Sequence, residues 1–291
     1  MNTTIAVLAD IHGNLPGLEA VLHDMQMFQP AGFIVAGDLT SGPQPNQVIQ
    51  LLRQLGRWLI LGNSDINLLR YVDGSAPESW STLHQFASLR WANKTIDPEI
   101  LRYLQGLPEQ SVVQIPGTAP IRVVHGSPRD PYESILLQEG LGLLETSLAM
   151  IEEPVLVCGH THQPWAMHLN GKLALNPGSV AGPLNGQVGA QYALLRWLDG
   201  AWEAELHMVS YDLRRIRSAF VESGLLAEGG PLMRCFLLSI ETGTNVARQF
   251  LDYAYRLAGE AGYAGSQVVP DEIWDKAAEC FDWSLNSLEL P

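Results

Sequence analysis

Residues 7–14 read VLADIHGN. Small and branched apolar residues, the end of a core strand, run directly into Asp10 and His12, one residue apart, and then into Gly13. A strand that finishes by presenting a carboxylate and an imidazole marks a sheet edge where a ligand site is built, because open α/β sheets hold their sites where strands stop. The arrangement recurs along the chain. Gly37-Asp38, Gly62-Asn63, His125-Gly126 and Gly159-His160-x-His162 each follow a short apolar run.

Residues two apart in an extended chain point the same way, so Asp10 with His12, and His160 with His162, are each expected to deliver two side chains to one place. Four His, two Asp and one Asn form a mixed nitrogen and oxygen ligand set, suited to manganese, iron, zinc or nickel rather than to calcium or a thiolate site. Seven ligands exceed what one tetrahedral ion takes and suit two divalent transition-metal ions sharing a carboxylate. Two such ions, against two carboxylates and a bridging hydroxide, leave a net positive centre that attracts an anion. The neutral Asn63 preserves that charge, and ions about 3.5–4 Å apart activate a shared water and clamp an in-line displacement.

Outward from these motifs, residues 3–9, 32–37 and 58–61 are apolar runs, each followed by a helical pattern, which predicts a β-α-β-α-β unit and a largely parallel sheet. Leu15, Leu18, Leu22 and Met25 form the first helix stripe, with Asn14 as its N-cap and Pro16 in the first turn. A second helix is expected over 46–55. Residues 66–107 lose the alternation and predict a helical insertion or cap packed through Trp80, Phe86, Leu89 and Trp91. Strands are expected at 111–115, 121–124, 154–158, 165–169, 172–175, 192–198 and 202–209, with hairpin turns at Asn170-Gly171 and Asp199-Gly200 and one helix over 134–151. The fold class is therefore α/β, with two mixed sheets and helices outside.

Residues 1–212 are read as one domain and 213–291 as a mostly helical C-terminal extension. Val246, Phe250, Tyr253 and Leu257 form its main stripe, and it packs on the main domain or on a second subunit as a homo-oligomer contact. The chain of 291 residues is 46% hydrophobic and carries a formal charge of −14, of which −6 falls in residues 1–198 and −8 in 199–291. An acidic surface repels phosphate backbones, so neither bulk nucleic-acid binding nor an anionic membrane is expected. The opening Met-Asn-Thr-Thr and its short apolar run lack the basic and long apolar regions of a leader, so none is expected, and no apolar stretch is long enough to span a bilayer. Three widely spaced cysteines, Cys158, Cys235 and Cys280, argue against a disulfide framework and for a reducing, cytoplasmic compartment.

Taken in order, DIH, GD, GN, HG and GHTH resemble the calcineurin-like metallophosphoesterase superfamily. NPGSV at 176–180 is similar to its small bacterial and archaeal phosphodiesterase branch. The resemblance covers roughly residues 3–212. It implies a four-layer αββα sandwich and hydrolysis of a phosphate-ester small molecule or phosphodiester, with diesters favoured over monoesters. By position it implies Asp10, His12 and His162 on one ion, Asn63, His125 and His160 on the other, and Asp38 bridging. Manganese is the first expectation, and a metal-bound hydroxide is the nucleophile, so no catalytic side chain is implied. The alternative is a catalytically weak or inactive metal-binding scaffold on the same fold.

One departure stands out. Many relatives carry a general-acid His after the Asn, where this chain reads GNSD with Ser64. A hydroxyl is a poor acid near neutral pH, and general acid catalysis contributes about 10²- to 10⁴-fold. Members of the small branch often have Cys there and remain hydrolases, and His84 in the insertion is a candidate substitute. Simpler readings stand beside these: Ser64 as a spacer, Asp65 as a helix cap or a group near the site, Asn176 and Ser179 as turn residues, Cys158 as buried packing. His23, His168 and His207 read as ordinary surface residues, and Trp274 and Trp283 as packing. A zinc hydrolase of the β-lactamase type needs a His-x-His-x-Asp-His run, which does not occur.

Overall fold

Asn14 sets the entry to the first helix as its type predicts: its side-chain oxygen accepts the N–H of Gly17 at 2.9 Å, and Pro16 occupies the first turn. The structure is a computed structural model and describes residues 3–55 and 58–283. Its first part alternates β1 (Thr3–Leu8), α1 (Leu15–Met25), β2 (Gly32–Val35), α2 (Pro45–Leu55) and β3 (Trp58–Leu59). The helical insertion follows as α3 (Asn63–Val72), α4 (Ser79–Thr82), α5 (Ala87–Thr95) and α6 (Pro98–Leu104). Then come β4 (Ser111–Val113), β5 (Ile121–Val123), α7 (Gly142–Ala149), β6 (Val155–Val157), β7 (Trp165–Leu169), β8 (Lys172–Asn176), β9 (Ala190–Leu198) and β10 (Ala201–Val209). The C-terminal helices are α8 (Leu213–Glu222), α9 (Leu225–Glu228), α10 (Pro231–Thr242), α11 (Val246–Glu260) and α12 (Asp271–Cys280). Residues 284–291 of the expected extension lie outside the described residues.

The strands make two mixed sheets, in the orders β10-β9-β1-β2-β3 and β4-β5-β6-β8-β7. The period-2 alternation of β1 decides the layers. Ile5, Val7 and Ala9 face the second sheet and pack with Val123, Val157 and Leu175, whereas Ala6 and Leu8 face Leu18, Val21 and Leu52 of the covering helices. On the far side, Leu144 and Leu148 of α7 cover Leu156 and Ala174. Helices thus lie on both faces of a sheet pair. Both hairpin turns form as expected, with left-handed backbone at Asn170 and Gly171 and at Asp199 and Gly200.

The helix expected over 134–151 is shorter. A single 3-10 turn, Leu137–Glu139, precedes Gly140 at φ 108°, a conformation an L residue rarely adopts, and only Gly142–Ala149 is α-helical. In the C-terminal region, Ile216, Phe220, Leu237 and Ile240 join the same core as Leu8 and Leu18, while Phe250, Val246 and Trp274 build a core of their own. The C-terminal helices also clasp the insertion: Lys94 pairs with Glu228 at 2.8 Å, and His84 Nδ1 meets Asp275 Oδ1 at 2.8 Å. No helix among the described residues is long and apolar enough to cross a membrane.

Candidate metal centre

The strand-end side chains converge, but not by strand geometry. Asp10, His12, Asp38, His160 and His162 all lie past the last paired residue of their strands, with φ of 53°, 43°, 56°, 69° and 55°. The extended-chain pairing expected for Asp10 with His12 and His160 with His162 is therefore corrected: left-handed turns, not alternation, aim these groups. Such residues cost on the order of 1–3 kcal/mol each and persist where the surroundings over-determine them.

The surroundings here are hydrogen bonds between loops. The N–H groups of Ile11 and His12 both donate to the Asp38 carbonyl at 2.9 Å, and Asp10 N–H donates to the Gly37 carbonyl at 3.1 Å. The NPGSV segment clamps the same turns. Ser179 Oγ and the Ala181 N–H donate to the Asp10 carbonyl at 2.9 and 3.0 Å, and Asn176 Nδ2 donates to the Gly159 carbonyl at 2.6 Å. Asn176 and Ser179 do build a turn, and that turn ties the first and fifth ligand motifs together.

The ligand atoms form a buried cluster. His12 Nε2 and His162 Nε2 are 3.2 Å apart, and His162 Nε2 is 3.6 Å from Asp10 Oδ1. Asp38 Oδ2 stands between the two halves, 3.4 Å from His12 Nε2 and 3.5 Å from His125 Nε2. His125 Nε2 lies 2.9 Å from Asn63 Oδ1 and 4.0 Å from Asp10 Oδ1. The ring of His160 stands edge-on to His125 at 5.2 Å, and its backbone N–H donates to Asp10 Oδ2 at 3.0 Å. Asp10, His12, Asp38, His125 and His162 are buried, while Asn63 and His160 sit half-buried at the rim. Among the described residues, two groups have the closeness that one ion needs, Asp10 with His12 and His162, and Asp10 with Asp38 and His125.

Tautomers decide what this cluster can hold. Nδ1 of His12, His125 and His162 each contacts a backbone carbonyl, those of Thr40 at 3.2 Å, Ala36 at 2.7 Å and Gly182 at 2.9 Å. A carbonyl only accepts, so each Nδ1 carries a proton; the neutral rings of His12 and His162 turn an Nε2 lone pair inward, whereas metal-free His125 holds a second proton on Nε2, which it donates to Asn63 Oδ1. Facing lone pairs 3.2 Å apart at His12 and His162 repel unless a proton or a cation lies between them. Burial and the neighbouring His12 push the His162 pKa down to about 3, which disfavours the proton. Burial likewise lowers His12, although Asp38 opposes it.

The acidic members divide. Burial above all raises Asp10 well over the ordinary carboxylate range. For Asp38 burial acts in the same sense, but His125 and His12 outweigh it and keep the carboxyl ionised. Burial opposes charge on His125, yet Asp38 and then Asp10 lift its pKa to about 10. These shifts are those of a cluster in which protons stand in for cations, and the donor set fits divalent ions bound by imidazole and carboxylate.

Two residues do more than their simplest readings allow. Ser64 is not merely a spacer: its hydroxyl and its N–H donate to Asp38 Oδ1 at 2.8 and 2.9 Å. Asp65 accepts the N–H groups of Gly62, Leu39 and Thr40 and the Thr40 hydroxyl, all between 2.8 and 3.1 Å, so it caps α3 and also fixes the turn carrying Asp38. The ring of His84, the candidate substitute acid, is engaged by Asp275 and Asp271. Phe236 of α10, standing edge-on to His12 at 5.2 Å, gave no signal in the sequence. A recess of about 250 Å³ opens over His12, Asp38, Asn63, His160 and His162, with Leu184, Phe236 and Asn245 in its outer wall.

Comparison with known proteins agrees with this geometry. Residues 3–200 match the family model described as the calcineurin-like phosphoesterase superfamily domain. An uncharacterized protein of Methanocaldococcus jannaschii is 27% identical over 241 residues, spanning 77% of this chain and 95% of that protein. A crystal structure of a metallophosphoesterase from Sphaerobacter thermophilus is 26% identical with a TM-score of 0.67, over 83% of this chain and 99% of that one. A hypothetical protein from Pyrococcus horikoshii shares the fold at 23% identity and a TM-score of 0.68, over 83% and 98% of the two chains.

Proposed function

The chain belongs to the calcineurin-like phosphoesterase superfamily, and on that premise we propose that it hydrolyses phosphate esters with two divalent metal ions, preferring diesters. The observation that carries this reading is the inward Nε2 set of His12, His125 and His162 around two carboxylates, with every Nδ1 already committed to a carbonyl. In this reading Asp10, His12 and His162 hold one ion, Asn63, His125 and His160 hold the other, and Asp38 is shared. The near-equal distances from Asp38 Oδ2 to His12 and His125, 3.4 and 3.5 Å, support the sharing. Bound ions supply an activated water and Lewis-acid polarisation of the phosphoryl oxygens, manganese being the first metal to try.

The chain's own residues do the positioning. Ser64 and Asp65 fix the Asp38 turn, the NPGSV segment fixes Asp10 and Gly159, and Asn63 contributes an oxygen without adding negative charge. A centre left net positive draws a phosphodiester monoanion. Two recesses share Asn63, the one over the cluster and a second of about 340 Å³ beside Ser64, which suits a phosphoryl group carrying two organic arms.

Metal analysis of the purified protein and hydrolysis of bis(4-nitrophenyl) phosphate and 4-nitrophenyl phosphate with added manganese test the reading. Two metals per chain and a faster diester rate are expected, with Asp38→Ala losing both metal and turnover. Equal rates in Asp38→Ala and wild type overturn it.

A second reading has its own observation. The Ser64 hydroxyl is spent on Asp38 and takes the position of the usual acid, which favours a metal-binding scaffold with little turnover. Full metal occupancy with no hydrolysis across a panel of phosphate esters selects this reading over the first.

A further inference from the structure

The second recess is a cleft between the insertion and the C-terminal helices, lined near the metal rim by Asn63 and Ser64 and farther along by Asn67, Trp80, Gln85 and Trp274. No charged side chain lines it among the described residues. One cation, however, stands at its edge against two residues that do. Arg70 holds its guanidinium over the Trp80 ring, 5.4 Å from the centroid, and Trp80 in turn stacks on Phe86 at 5.5 Å.

Helix geometry aims this cation at the metal rim. Asn63, Asn67 and Arg70 follow one another at i, i+4 and i+7 on α3, so they share a face. Seven residues rise about 10 Å, and a long side chain on a helix leans toward the N-terminus, which turns Arg70 back toward Asn67 and Asn63. Tyr132 marks the place where they meet. Its hydroxyl donates to Asn67 Oδ1 at 2.7 Å, and Arg70 beside the same hydroxyl opposes the rise in pKa that burial gives Tyr132.

The charge of Arg70 is not spent within the fold. Arg53 and Arg248 hold carboxylates at 2.9 and 2.8 Å, whereas among the described residues no carboxylate pairs with Arg70. Asp73, three residues on, owes its lowered pKa first to its bonds with Ser75 and only last to Arg70. In a chain of net charge −14, an unpaired guanidinium held by an aromatic ring about two helical turns from a metal rim is set for an anion brought by a ligand.

We propose that Arg70 forms an anion subsite at the edge of the cleft, and that the substrate is a phosphodiester whose cleft-bound arm ends in a second acidic group, a carboxylate or a phosphate. The inference deepens the phosphodiesterase reading and rests on it. The planar fork of Arg70 takes either oxyanion through two parallel N–H bonds.

The test uses the full-length protein with manganese and three phosphodiesters of 4-nitrophenol, whose second arm is 4-carboxyphenyl, 4-phosphonophenyl or the neutral 4-carbamoylphenyl. Water displaces 4-nitrophenolate from each, so the same bond breaks and only the charge on the arm differs. A KM about fivefold lower is expected for a charged arm than for the carbamoyl arm, the worth of a well-held exposed ion pair, and the arm with the lower KM identifies the oxyanion. Added salt should shrink the difference. Arg70→Gln should bring the ratio of charged to neutral arms to about one, and Arg70→Lys, a point charge without the fork, should keep part of it. Equal KM values for all three arms in the wild type overturn the proposal, as does a preference that survives in Arg70→Gln. Hydrolysis of bis(4-nitrophenyl) phosphate on the same preparation reports separately on the phosphodiesterase reading. If no ester is turned over, calorimetric titration with the same three esters decides the subsite by the same comparison.

Discussion

Ser64 gives Asp38 Oδ1 two hydrogen bonds, from its hydroxyl at 2.8 Å and its N–H at 2.9 Å, leaving Oδ2 as the atom that faces His12 and His125. The residue at the position of the usual acid is thus a positioning residue for the Asp38 carboxylate.

Removing the hydroxyl tests that role. Ser64→Ala keeps the N–H bond and loses the other, so metal affinity should fall about 10-fold, at the low end of what outer-shell partners contribute. Titration of the metal-stripped variant with manganese, followed by calorimetry, measures it. Unchanged affinity would show that the N–H alone orients Asp38.

Asp65 takes four donors from three residues of two loops. Asp65→Asn would turn an NH₂ toward N–H groups and strand at least one of them in the core. A loss of about 2–3 kcal/mol is expected in urea unfolding, since hydrogen bonds to a buried charge are worth more than neutral ones. Metal affinity should fall with it.

Gly62 allows the close approach of the second and third ligand turns. A Cβ there would overlap the Asp38 carboxylate and backbone N. Gly62→Ala should therefore displace Asp38, losing metal and lowering the thermal midpoint by several degrees or more. Scanning calorimetry in the presence of metal decides this.

Metal removal should act as ligand removal does on any folded site. With ions absent, the facing Nε2 lone pairs of His12 and His162 are left 3.2 Å apart with nothing between them, so a chelator is expected to lower the melting temperature. Manganese should restore it. A melting curve indifferent to chelator would contradict the cluster's role as a cation site.

The clasp between α12 and the insertion should respond to pH. The hydrogen bond that the His84 ring donates to Asp275, assisted by Asp271, raises the His84 pKa against partial burial and Arg90. A raised pKa means that the contribution is complete below about 6.5, the unfolded value, and is lost as pH climbs through the folded one. The pair is exposed, so its worth is about 0.2–1 kcal/mol. Amide exchange over 271–280, corrected for intrinsic rates, should show more opening at pH 8.5 than at pH 6. His84→Ala should remove the difference.

The sequence by itself determined the sheet layers and which polar side chains stand at the strand ends. Strand alternation in Ile5, Val7 and Leu8, the Asn14 cap and two hairpin turns are local chemistry, visible within a few residues. So were Asp10, His12, Asp38, Asn63, His125, His160 and His162, because each sits where an apolar run stops. Tertiary structure alone decided how those side chains aim, since left-handed turns held by bonds across 150 or more positions, such as Ser179 to the Asp10 carbonyl, replaced the expected strand geometry. It also decided that Ser64 serves Asp38, and that Gln85 and Val269, 184 residues apart, close one cleft. Hydrogen bonds between distant loops leave no periodicity in a chain, because either partner is an ordinary polar residue until folding brings the other to it.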